Sequence, residues 1–92
     1  MRNDAVRFAV NFAILTAHRL GEPRVLELSP RQLEELRQSS DARDWSFGVT
    51  TRYRDLRVAE AAGSEGRVLA WDRARETEMA QKIPWPSRSR LA

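Results

Sequence analysis

Between Tyr53 and Leu56 the apolar residues of this chain change phase, and that change limits the folds open to it. Phe47, Val49, Thr51 and Tyr53 alternate with polar or small residues at odd positions, the period of a half-buried strand. Leu56 and Val58 occupy even positions. One straight strand would turn its second apolar set to the opposite face. A tight turn at Arg54-Asp55 resolves the conflict by setting Tyr53 opposite Leu56 and Thr51 opposite Val58. Asp tolerates such a turn, although Gly would suit it better. Gly63-Ser64-Glu65-Gly66 reads as a second turn and Arg67 to Trp71 as a returning strand. The expected product is a three-stranded antiparallel meander filling the stretch from Trp45 to Trp71.

Those turns assign the faces. Phe47, Val49, Tyr53, Leu56, Val58 and Val68 share the expected core face, and Arg52, Arg57, Leu69 and Trp71 share the other. Arg52 and Arg57 then stand directly opposed, a mildly repulsive pair, and a neighbouring Trp71 can accept one of them in a cation–π contact. This outer face is either a docking surface for an acidic or aromatic partner or a face closed by Arg stems or a helix. A one-residue slip in the second turn would move Trp71 into the core.

Residues 4–20 predict a helix with Asn3 or Asp4 as cap and Gly21 as terminator. Its apolar residues cover most of the cylinder, and Arg7, Asn11 and His18 form a narrow polar stripe. Such a helix is buried on several sides. It is too short and interrupted to span a membrane, and no small-residue cleavage site follows it as in an export signal. A small domain covers about one face of it. The excess, at Phe8, Phe12 and Leu15, is therefore a candidate surface for self-association; the alternative is a central helix wrapped by the other elements.

Arg24 to Leu28 predicts a short, fourth strand. Ser29-Pro30-Arg31-Gln32 opens a second helix, with Ser29 as N-cap, Pro30 at the first helical position and Gln32 completing a capping box. Leu33 and Leu36 face inward. Ser39 to Asp44 reads as a polar loop. After Trp71, Asp72 caps an expected third helix running to about Lys82, with Met79, Ala80 and Ile83 as its apolar stripe and Glu78–Lys82 as an i,i+4 pair. Pro84 stops it, and Pro84-Trp85-Pro86 is extended. Trp85 either folds back on the domain or fills a partner's pocket.

Charge narrows the function. The chain of 92 residues carries a formal net charge of +3. Arg88 and Arg90 supply two of those charges, which leaves +1 for residues 1–85. That is a weak electrostatic footprint for nucleic acid. Without cysteine there is no disulfide framework or thiolate metal site. No Gly-rich loop precedes a helix to cradle phosphate, no His/carboxylate cluster has metal-ligand spacing, and nothing arranges the lone His18 with a nucleophile. No enzyme activity and no cofactor are expected.

The combination of YRDLRV at residues 53–58, the Gly-bounded turn and GRVLAWD at 66–72 resembles the short hairpin modules in small proteins of temperate phages of high-GC bacteria. The likeness spans residues 49–72 and departs at Asp55, where Gly is usual. It implies an accessory role, as a virion or assembly subunit or as a binder and inhibitor of a host factor.

The sequence therefore predicts one α+β domain over residues 1–83, in the order α-β-α-β-β-β-α, with an extended tail over 84–92. It predicts a non-catalytic protein-binding or assembly subunit, cytoplasmic or virion-associated, that docks to a protein partner or to itself. The partner-binding candidates are Arg52, Arg57, Trp71 and Trp85. An Arg-dependent nucleic-acid binder is the alternative, and no membrane partner is expected.

Overall fold

In the computed structural model, which describes residues 4–86, the sheet is built around the segment after the first helix. The elements are α1 (Ala5–Ala17), β1 (Glu22–Leu28), α2 (Pro30–Ser39), a single 3-10 turn (Ala42–Asp44), β2 (Trp45–Ser46), β3 (Arg52–Tyr53), β4 (Leu56–Glu60), β5 (Arg67–Asp72) and β6 (Thr77–Lys82). The six strands lie in the order β2-β3-β4-β1-β5-β6. β1 runs parallel to β4, and the other neighbours are antiparallel.

β1 takes an inner position because it carries apolar residues for both faces, Leu26 and Leu28 on one side and Val25 on the other, all buried. Its parallel partner β4 is reached through α2 and the β2–β3 excursion, the crossover that parallel pairing requires. The expected meander is corrected here. β4 and β5 are consecutive strands but not neighbours, because β1 lies between them.

The hairpin register is as the phase change implied. Tyr53 faces Leu56 and Arg52 faces Arg57, and Arg54 and Asp55 both have positive φ, at 48° and 72°, as a two-residue hairpin turn of the primed type requires. The first arm differs. Residues 47–51 form no strand, and Phe47 and Val49 are exposed rather than in the core. Gly48 within this segment weakens strand formation.

The expected third helix is also absent. Residues 73–76 make a turn and Thr77–Lys82 is a strand. Asp72 caps that turn instead, its Oδ1 accepting from the backbone N–H groups of Ala74 and Arg75 at 3.0 and 3.2 Å. Met79 and Gln81 are half-buried while Glu78, Ala80 and Lys82 are exposed, a period of two that pairing with β5 enforces over the helical propensity of Glu, Met, Ala and Lys.

Both helices pack on one face of the sheet. α1 lies over β5 and β6, and α2 lies against α1 and β1. Val10, Ala13 and Ala17 of α1 and Leu36 of α2 join Leu26, Leu28, Tyr53, Leu56, Val68 and Ala70 in one buried cluster. The capping box of α2 forms as expected, with Ser29 and Gln32 exchanging backbone-to-side-chain hydrogen bonds. Among the described residues no helix covers the opposite sheet face, so the fold has two layers.

Candidate functional site

The polar residues of α1 point inward and its largest apolar residues point out. Arg7 donates from Nε to Asp44 Oδ2 at 2.9 Å. One turn on, Asn11 accepts a 2.7 Å hydrogen bond from the Tyr53 hydroxyl. These two anchors fix the helix's rotation. Val10, Ala13 and Ala17 then face the core, and Phe8, Phe12 and Leu15 are left 63, 62 and 68% exposed. Their i, i+4, i+7 spacing makes one stripe. No charged residue lies between Phe8 and Leu15 in sequence. The expected self-association residues thus share a single outward face.

Asp44, read from sequence as part of a polar loop, is the hub that holds this rotation. Its side chain is almost fully buried, accepting from Arg7, from Arg54 Nη1 at 2.9 Å and from the Asp41 backbone N–H at 3.0 Å. Burial would push its carboxyl up, but the hydrogen bonds from Arg7, Asp41 and Arg54 outweigh burial and hold it at about 2. Burial pushes the Tyr53 hydroxyl up to about 12, helped by the nearby Asp44 charge. The sequence signal for this hub is the three-residue spacing of Asp41 and Asp44, a capping-box spacing that the structure fulfils.

The uncovered sheet face carries the other expected residues. Across the strands, Arg52, Arg57, Val25, Leu69 and Ala80 stand in register. Arg52 and Arg57 are exposed, and no acid pairs with either among the described residues; Arg52 Nη1 donates only to the Asp55 carbonyl at 3.2 Å. Trp71 lies on this face, half-buried, as expected. Its cation is Arg24, 5.6 Å from the ring centroid, rather than Arg52 or Arg57, because β1 separates Trp71 from β4.

Trp85 is not brought to this face. It packs against the core and its indole N–H donates to Glu35 Oε1 on α2 at 2.8 Å, so the described part of the tail folds back. Arg88 and Arg90 lie outside the described residues, as does Asn3. Among the described residues no group of three His, Cys, Asp or Glu side chains is placed to hold a metal ion, and no helix is long and apolar enough to cross a membrane.

No family model, curated protein or solved structure matches the chain.

Proposed function

We propose that the chain is a non-catalytic docking subunit that binds a protein partner, or a second copy of itself, through the outer face of α1. The observation that carries this reading is the stripe of Phe8, Phe12 and Leu15, each more than three-fifths exposed on one helix face. Three large apolar side chains held out by buried anchors offer an apolar surface of the kind partners bury. The resemblance of residues 49–72 to hairpin modules of temperate-phage proteins supports an accessory or assembly role encoded on a mobile element.

The second reading, an Arg-dependent nucleic-acid binder, draws on the opposed Arg52–Arg57 pair, neither of which forms an ion pair among the described residues. The two readings separate on salt. Apolar docking through α1 persists as salt rises, whereas phosphate binding weakens steeply with it. The experiment is affinity capture on the full chain, with and without nuclease, comparing wild type with Phe8→Asp/Phe12→Asp and with Arg52→Ala/Arg57→Ala. Loss of nuclease-resistant protein capture only in the α1 variant supports docking. Salt- and nuclease-sensitive capture lost only in the Arg variant supports the alternative.

A further inference from the structure

The two edges of the sheet are unlike. β2 is two residues long, whereas β6 presents six residues without proline and, among the described residues, has no strand beyond it, so it can template another strand. The direction of its free groups follows from one bond. The Ile83 N–H donates to the Gly66 carbonyl at 3.0 Å, and antiparallel ladders alternate. Residues 77, 79 and 81 therefore turn their backbone groups to β5, and Glu78, Ala80 and Lys82 turn theirs outward.

We propose that β6 is the seam of a two-fold dimer, pairing antiparallel with β6 of a second copy about Ala80 and joining the two sheets into one. This makes specific the self-docking arm of the functional reading above, and rests on it in taking a second copy as the occupant.

Charge selects both the occupant and the register. Pairing centred on Ala80 sets Glu78 of each copy opposite Lys82 of the other, two opposite-charge pairs on one face. Centring on Glu78 or Lys82 sets like charges opposite each other, and centring on Met79 or Gln81 sets a charge opposite Ala80. Glu78 makes no close ion pair among the described residues, its charge acting only at longer range on Arg67. Lys82 has only an exposed contact with Glu65 at 3.4 Å, and its neighbour across β5 is Arg67, another cation.

The helix layer fits the same axis. α1 packs on β5 and β6, the strands nearest the seam, on one sheet face. A two-fold at β6 therefore sets the helix layers of the two copies side by side on the same face of the joined sheet. Arg7 and Asn11 reach toward the Asp44 and Tyr53 side of the fold. The opposite flank of α1, with Ala9 and Thr16 bordered by Phe12, therefore faces the seam. Small side chains on that flank admit the partner helix, and the joined sheet continues into the exposed α1 stripe.

Sedimentation of the full-length chain across a concentration series tests the proposal. Glu78→Lys and Lys82→Glu should each weaken the wild-type dimer about tenfold or more, since each turns two attractions into two repulsions. The equimolar mixture of the two variants should form a heterodimer, and the double variant should return to near wild-type association. Ala80→Pro removes only an outward N–H, which an edge strand tolerates; it should give a folded monomer with unchanged circular dichroism. A dimer that survives Ala80→Pro, or single variants that neither weaken nor rescue one another, overturns the β6 seam. If Phe12→Asp alone dissolves that dimer, self-docking stands through α1 without β6. A wild-type monomer at every concentration overturns both the seam and the self-docking arm, leaving docking to a different protein.

Discussion

Asp44 shows how much of this molecule turns on single side chains. Its carboxyl is held at about 2, well below the usual carboxylate range, so the folded state favours the charged form. The corresponding stability is fully present above about pH 4 and is lost as pH falls through about 2. A depression of that size is about 2 kcal/mol. Asp44→Asn should lower unfolding stability by about that amount at neutral pH, and the gap to wild type should close in urea titrations taken toward pH 2; a pH-independent gap would assign the effect to packing. Gly21 is a second such point. A Cβ there would run into the backbone of Trp71 and Asp72, where the chain leaves α1 and enters β1. Gly21→Ala should cost about 2 kcal/mol or more through displaced backbone, read as a lower melting temperature; an unchanged value would show that the turn yields freely.

Individual elements differ in how far sequence reveals them. The Tyr53–Leu56 pairing was legible because a phase change and a two-residue turn are local. The helix at α2 was legible because its cap, proline and inward leucines agree. β6 was not, since TEMAQK consists largely of good helix formers and becomes a strand only against β5. The place of β1 inside the sheet was also hidden, because it depends on β1 carrying apolar residues for both faces relative to distant strands. For α1 the helix was readable and its rotation was not: apolar residues nearly all round leave every face eligible, and the Arg7–Asp44 and Asn11–Tyr53 contacts choose. Docking at the exposed stripe implies that Phe12→Asp changes monomer stability by less than about 1 kcal/mol while abolishing partner capture. A loss of several kcal/mol in chemical denaturation would instead mean that Phe12 is buried.

Among the described residues the molecule is a two-layer α+β fold with helices on one sheet face, none on the other, and β6 as its one long edge strand. Among the described residues no helix lies over the Arg52–Arg57–Val25–Leu69–Ala80 row, in which the arginines and Ala80 are exposed and Val25 is buried, and the anchored rotation of α1 leaves its aromatic stripe exposed too. The sequence named the α1 stripe and, on the sheet, Arg52, Arg57, Leu69 and Trp71, but not Val25 or Ala80. It did not reveal the edge, because the edge exists only once residues 77–82 become a strand. The proposed role of these surfaces is docking, with a second copy at β6. Amide hydrogen exchange measured residue by residue at low and high protein concentration tests it most directly. In a chain that pairs at β6, Met79 and Gln81, bonded to β5, are protected at both concentrations, while Glu78, Ala80 and Lys82 become protected only when the chain is concentrated. Amides of Glu78, Ala80 and Lys82 that exchange equally fast at both concentrations would contradict it.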